Sequence, residues 1–102
     1  MNLEITDEAL KWFKNEVEAD EGDTIKFFAK YGGESPIQSG FSIGFALHET
    51  PESAGVKKEK DGITFFVEEK DLWYFDGYDL TVEFDEEKQE IHYNYHEGSE
   101  SD

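Results

Sequence analysis

The sequence predicts a small α+β domain in which one main helix packs on about seven short, mostly antiparallel strands. Residues 7–20 have apolar side chains at helical spacing, whereas most later segments alternate between apolar and polar residues with a period of two. The chain has 102 residues, which is enough for one domain with its own core and too few for two ordinary domains. These observations together predict the fold class.

The helix is predicted over residues 7–20. Thr6 is a suitable N-cap, and two acidic residues follow it, where the positive end of the helix dipole favours negative charge. The apolar stripe consists of Ala9, Leu10, Phe13 and Val17. Gly22 is expected to end the helix, because glycine adopts the left-handed conformation that other residues resist.

Strands are predicted on both sides of this helix. Before it, Leu3 and Ile5 alternate with polar neighbours, and after it the segments 24–31 and 41–48 alternate as well. The faces expected to point into the core comprise Ile25, Phe27, Ala29 and Tyr31 in the first segment, and Phe41, Ile43, Phe45 and Leu47 in the second. Because a slip of one residue would turn these side chains to solvent, the register should be well defined.

The second half of the chain predicts two hairpins. Asp61-Gly62 is a residue pair typical of a tight turn, so 56–60 should pair with 63–68. A charged turn at 85–90 should join the last two strands. Their apolar residues are Leu80, Val82 and Phe84 in the first and Ile91, Tyr93 and Tyr95 in the second.

Residues 69–76 are predicted to form a helical turn that ends at Gly77. This segment carries the aromatic side chains Trp73, Tyr74 and Phe75. A helical turn cannot direct all of them inward, so part of the cluster should face solvent or cover another subunit. Core packing is the better single explanation for the cluster.

The charge of the chain excludes several classes of partner. Twenty-six acidic residues stand against nine lysines and no arginine, which gives a net charge of −17. Such a field repels phosphate backbones and anionic lipid, so we expect neither a nucleic-acid nor a membrane partner. Basic proteins and divalent cations remain electrostatically favoured, although solubility is the simplest role of so much acid.

The chain contains no cysteine. Disulfides, thiolate metal sites, redox cysteine pairs and cysteine nucleophiles are therefore excluded. The first residues lack the basic region and apolar run of a signal peptide, and no apolar stretch approaches the ~20 residues needed to span a bilayer. A cytoplasmic location is the expectation that follows.

Several short sequences occur along residues 2–96 in a familiar order and spacing. They are Leu3-Glu4-Ile5-Thr6-Asp7-Glu8-Ala9, Tyr31-Gly32-Gly33, Gln38-Ser39-Gly40-Phe41-Ser42, Asp61-Gly62, Phe66-Val67, Asp76-Gly77 and Leu80-Thr81-Val82. Together they resemble the HesB-like domain, also called the IscA-like or A-type iron–sulfur scaffold family, and within it the cysteine-poor YneR-like branch. The resemblance implies a single HesB-like domain at 1–96, followed by a flexible acidic tail at 97–102.

The resemblance also implies a ligand set that this chain lacks. Typical members carry one cysteine just after the central glycine pair and a Cys-Gly-Cys near the C-terminus, and these bind iron or an iron–sulfur cluster. The first position falls here at Glu34, and the other two fall around 97–101, where no cysteine occurs. Cluster iron requires soft, anionic sulfur, whereas carboxylates and hydroxyls are hard donors. No cofactor is therefore expected.

Three hypotheses of function follow from these residues, and the least favoured is an enzyme on a repurposed fold, which would need a closed pocket with a carboxyl group of strongly raised pKa near Tyr31 to Gly40. The favoured one is a non-enzymatic interaction or accessory module with an unidentified protein partner, since no residue set suggests catalysis. The alternative is a protein that binds iron or another hard cation through carboxylates at the former cysteine positions, with Glu34, Glu97 and Glu100 as weak candidates. Self-association is left open, because family members often form oligomers whereas the charge of −17 opposes it.

Overall fold

A computed structural model describes residues 1–97, which form one α-helix, one 3₁₀-helix and seven strands. In chain order the elements are β1 (Leu3–Ile5), α1 (Asp7–Glu16), β2 (Thr24–Tyr31), β3 (Phe41–Leu47), β4 (Ala54–Lys60), β5 (Ile63–Glu68), the 3₁₀-helix (Glu69–Tyr74), β6 (Tyr78–Asp85) and β7 (Glu90–Glu97). The predicted α+β class is confirmed for this part of the chain. Glu97, assigned to the tail from the sequence, is the last residue of β7, and the rest of the predicted tail lies outside the described residues.

The strands form two mixed sheets. One has three strands in the order β1-β6-β7, and the other has four in the order β3-β2-β5-β4. Three of the neighbouring pairs are antiparallel, while β1 pairs with β6 and β2 with β5 in parallel. No helix within residues 1–97 is long and apolar enough to cross a membrane.

The helix begins at the predicted residue but ends earlier than predicted. Its N-cap is Thr6, whose hydroxyl accepts a hydrogen bond from the backbone N–H of Ala9. The predicted end at residue 20 is wrong, because the backbone becomes left-handed at Glu18 with φ of 58°. The N–H of Ala19 then donates to the carbonyl of Phe13, which directs Ala19 into the core. Glu18, which is not a glycine, thus adopts the left-handed conformation that the sequence predicted for Gly22 at the end of the helix.

Aromatic contacts around Phe13 form the centre of the core. Phe13 is fully buried, and its ring meets four other rings edge to face at centroid distances of 5.3–6.2 Å. These four rings belong to Trp12, Phe27, Phe45 and Phe65. Edge-to-face pairs stabilise a protein by about 0.5–1.5 kcal/mol beyond the area that they bury. The helix is therefore attached to the four-stranded sheet mainly through rings.

Both predicted hairpins are present, with small changes in their limits. Asp61 and Gly62 have φ of 56° and 82°, as a tight two-residue turn between right-twisted strands requires. Strand β4 begins earlier than predicted, at Ala54, with a register irregularity before Val56. The predicted turn at 85–90 is shorter, because its two end residues pair with each other across β6 and β7.

Two glycines with the same backbone constraint provide a test of packing at the hairpin. Gly62 and Gly77 both have positive φ, at 82° and 86°. A Cβ at Gly62 would lie 2.5 Å from Cγ and 3.3 Å from Cα of Glu21, whereas a Cβ at Gly77 would meet nothing within 4 Å. Gly77→Ala should therefore lower the free energy of unfolding by about 1–2 kcal/mol, which is the cost of a left-handed backbone for a residue with a Cβ. Gly62→Ala adds a steric conflict with the side chain and backbone of Glu21. It should therefore lower the free energy of unfolding by roughly 2–4 kcal/mol.

Urea unfolding followed by circular dichroism measures both costs. Gly62→Ala should show the lower midpoint of the two variants, with an unchanged dependence on urea concentration. Equal midpoints would contradict the close approach of Glu21 to this turn.

Candidate protein interface

The aromatic cluster at 73–75 is divided between the core and the surface. Tyr74 and Phe75 are 0% and 1% exposed, whereas Trp73 is 51% exposed. A 3₁₀-helix turns successive side chains to different sides, so the three rings cannot share one environment. The expectation that part of this cluster faces solvent is confirmed, and Trp73 is that part.

Trp73 lies at the end of a row of three rings. The Phe41 ring centroid is 5.2 Å from that of Trp73 and 5.5 Å from that of Tyr31, and both pairs meet edge to face. Tyr31 is 89% exposed, while Phe41 is half-buried between its two neighbours. We call Tyr31, Phe41 and Trp73 the aromatic lip.

The strand register explains why Tyr31, at one end of the lip, lies beyond the core. Tyr31 pairs with Phe41 at the end of the β2–β3 ladder, on the same face as the core pair Phe27 and Phe45. The two strands extend further than the core that they cover. The prediction that Tyr31 belongs to the core is therefore wrong. Its side chain lies on the predicted face of β2, but at this position that face has no core beneath it.

A buried carboxylate lies directly before the 3₁₀-helix that carries Trp73. Glu68 is 6% exposed, and its two oxygens accept hydrogen bonds from the backbone N–H groups of Glu52 and Ser53, each at 2.9 Å. The N–H of Glu69 donates in turn to the Ser53 carbonyl at 2.8 Å. The two N–H groups stabilise the charged form, so the pKa of Glu68 is lower than its ordinary value.

A second contact holds the 3₁₀-helix close to β4. The Leu72 side chain occupies the space next to Gly55, where an added Cβ would lie only 2.6 Å from the Leu72 Cδ1 atom. Leu72 packs at the edge of the core. Because Trp73 is the next residue, glycine at position 55 also helps to place the exposed ring.

A groove with a volume of ≈ 320 Å³ lies between the loop after β2 and strand β7, and it includes Ser42 and Ile43, which follow the lip residue Phe41 in β3. Ile43 and Ile91 contribute apolar surface to this groove. Its polar lining comes from six residues: Glu34, Ser35, Ser42, His92, Tyr93 and Tyr95. Ser42 follows the lip residue Phe41 in β3 and donates to the carbonyl of Gly32 at 3.1 Å. The groove therefore contains Glu34, the residue at the first ligand position implied by the resemblance.

The tyrosines of this groove are held in their neutral form. Burial raises the pKa of Tyr93, and Tyr74 raises it further. Burial also raises the pKa of Tyr95, whose hydroxyl oxygen lies 2.9 Å from that of Tyr74 in a hydrogen bond that raises the pKa again. Because an ordinary tyrosine is already neutral at pH 7, the raised pKa values extend the neutral form of both phenols to higher pH.

These residues do not fit an iron–sulfur cluster. The polar groups around Glu34 are carboxylate, hydroxyl and phenol oxygens together with the imidazole of His92, and the chain has no thiolate. Clusters are held by cysteine sulfur, and histidine replaces only some of those ligands. The donors in the groove thus agree with the expectation that the cluster ligands are absent.

The three carboxylates suggested for a hard cation are described only in part. Glu34 lines the groove, and Glu97 ends β7, where it pairs with Tyr78. Glu100 lies outside the described residues. Within residues 1–97 no group of three or more His, Asp or Glu could hold a metal ion. The carboxylate set with Glu100 therefore stays a prediction.

A family model matches almost the whole chain. Residues 1–98 match the family described as iron–sulphur cluster biosynthesis, which is the HesB/IscA family. The chain belongs to this family.

Two relatives match over almost their full lengths. A protein of Bacillus subtilis named "Pyruvate dehydrogenase inhibitor" is 50% identical over 95 residues, which cover 93% of this chain and 99% of that protein. An uncharacterized protein of Staphylococcus saprophyticus is 37% identical over 95 residues, which cover 91% of this chain and 97% of that protein.

One solved structure shares the fold. The crystal structure of Escherichia coli SufA, involved in biosynthesis of iron–sulfur clusters, matches with a TM-score of 0.63 and 21% identity. The match covers 93% of this chain and 79% of the SufA chain. At this identity the likeness shows the fold alone.

Glu68 provides a pH-dependent test of how the lip is supported. Its pKa is lowered in the folded chain, so the stability that it contributes is present above the pKa of an unfolded glutamate, about 4.3, and is lost as the pH falls through the lower folded value. Glu68→Gln should therefore be less stable than the original chain at pH 7. The difference should shrink below about pH 4.3.

Urea midpoints measured from pH 7 to pH 3 check this prediction, with Glu69→Gln as the control. Glu69 is exposed, and its carboxylate accepts a hydrogen bond from the Ser53 hydroxyl at 3.1 Å. Glu69→Gln should therefore change the urea midpoint little at any pH. If Glu68→Gln lowered the urea midpoint by the same amount at every pH, the charged form of the Glu68 carboxylate would not be what stabilises this region.

Proposed function

We propose that this chain is a protein inhibitor of pyruvate dehydrogenase that acts by binding the enzyme and catalyses no reaction itself. The observation that carries the proposal is the 50% identity to the Bacillus subtilis pyruvate dehydrogenase inhibitor over 93% of this chain and 99% of that protein. A match of this extent involves the whole domain rather than one local motif. The inhibitory activity is therefore proposed for the complete HesB-like unit.

The chemistry of the chain supports inhibition by contact rather than by cluster transfer. It has no cysteine, and the groove around Glu34 offers hard oxygen donors. The fold is therefore used without the ligands that its family provides for iron–sulfur chemistry. What the described surface offers a protein partner is the aromatic lip within a strongly acidic chain.

The proposal predicts direct inhibition in a purified system. Addition of the purified chain to purified Bacillus subtilis pyruvate dehydrogenase complex should lower the rate of pyruvate-dependent NAD⁺ reduction, and the effect should saturate with inhibitor concentration. Saturation is expected because a specific complex has a defined stoichiometry. An unrelated acidic protein of similar size and net charge is the control for electrostatic effects alone.

The same assay separates this proposal from hard-cation binding. Chain treated with a chelator and then desalted should inhibit as well as untreated chain, because contact inhibition requires no metal. Loss of inhibition after this treatment, with recovery on addition of manganese or iron, would favour the cation-binding alternative. Absence of inhibition by untreated chain at concentrations far above those of the enzyme would refute the proposed function.

A further inference from the structure

Large apolar side chains are seldom exposed in the described part of the chain, and two of them lie together. The three such residues within 1–97 are Met1, Tyr31 and Trp73. Phe41 joins the last two into one continuous row of rings. In a chain with 34% charged residues, an exposed row of rings is typical of a surface that another molecule covers.

The geometry points to a basic surface of the partner enzyme that places an arginine or lysine side chain over the rings of Tyr31 and Trp73. This inference rests on the proposed function and specifies the chemistry of its contact. A cation over the face of a tryptophan or tyrosine is attracted by the negative face of the ring. Tryptophan and tyrosine are also the residues most often found to dominate the energy of protein interfaces.

The charge of the whole chain selects the same kind of partner. It carries 26 acidic residues against nine lysines. Four of those lysines form ion pairs with carboxylates of the chain itself: Lys14 with Asp61, Lys26 with Glu49, Lys58 with Glu4 and Lys60 with Asp7. The resulting negative field attracts basic surfaces and accelerates their association. A second copy of this chain would instead be repelled.

The lysines nearest to the lip do not oppose such a cation. Lys30 precedes Tyr31, but its side chain lies on the other face of the sheet, against Gly44. Lys70 lies in a pocket whose other charged residues are acidic, namely Glu52, Glu68 and Glu69. On the other side of the lip, the groove offers the exposed carboxylate of Glu34. A basic side chain at the lip therefore meets ring faces on a chain whose loop after β2 carries the exposed carboxylate of Glu34.

Binding of Bacillus subtilis pyruvate dehydrogenase complex to the immobilised chain tests the role of the rings. Trp73→Ala and Tyr31→Ala should each weaken binding, with Trp73→Ala raising Kd about tenfold or more. Phe28→Ala is the matched control, since it removes a half-exposed ring on the opposite face of β2. It should bind like the original chain. Urea midpoints of all three variants establish that they are folded.

A pair of charge reversals tests the basic character of the partner. Glu34→Lys and Glu59→Lys change the net charge equally, but Glu34 lies in the groove beside the lip whereas Glu59 is exposed on β4. Glu34→Lys should raise Kd several-fold more than Glu59→Lys. The affinity of the original chain should fall as salt is added from low to physiological concentration.

The outcomes distinguish this inference from the proposed function. If the original chain inhibits the enzyme and Trp73→Ala inhibits equally well, the lip is not the contact and only this inference fails. If the affinity did not depend on salt, or if the two charge reversals had equal effects, the inference that the partner surface is basic would be overturned. A dimer of the chain that Trp73→Ala dissociates would assign the lip to a second copy instead. If the original chain neither binds nor inhibits, the proposed function fails and this inference with it.

Discussion

The packing of aromatic rings around Phe13 is the interaction on which the rest of the structure depends. Only 36% of the residues are hydrophobic and 34% are charged, so a few large side chains must supply most of the buried apolar area. Phe13 connects the helix to the four-stranded sheet, and Phe27 extends the ring contacts to Tyr93 in the three-stranded sheet at 6.0 Å. One chain of rings thus joins the helix and both sheets.

The exposed lip is a consequence of the same arrangement. At the end of the β2–β3 ladder Phe41 still packs against the edge of the core, whereas its partner Tyr31 has no core beneath it and is exposed. The 3₁₀-helix then supplies Trp73 from the other side, held by hydrogen bonds to Glu68 and by the packing of Leu72. The rings are exposed because rigid elements place them there. Such rigidity favours a binding surface, since little conformational entropy is lost when a partner covers it.

Features determined by neighbouring residues could be predicted from the sequence, and features determined by distant contacts could not. The Thr6 cap and the Asp61-Gly62 turn depend on local backbone chemistry, and both are present. The helix end depends on Ala19 reaching the core, which no local pattern indicates. The lip likewise requires the β2–β3 register and the 3₁₀-helix together. The sequence indicated its parts separately, through the aromatic cluster at 73–75 and through an aromatic residue on each side of the glycine-rich loop at 32–40, but not that they meet.

The replacement of sulfur by oxygen changes what this part of the fold can recognise. A thiolate is a soft donor suited to iron, whereas a carboxylate such as Glu34 is a hard anion that pairs with ammonium and guanidinium groups. The phenols of Tyr93 and Tyr95 are neutral at pH 7, as tyrosines ordinarily are, and burial raises their pKa further, so they add no charge to the groove. The loss of the ligand set therefore leaves a groove whose chemistry is complementary to basic side chains. Together with ring faces that attract the same groups, this chemistry supports the proposed contact with a basic protein surface.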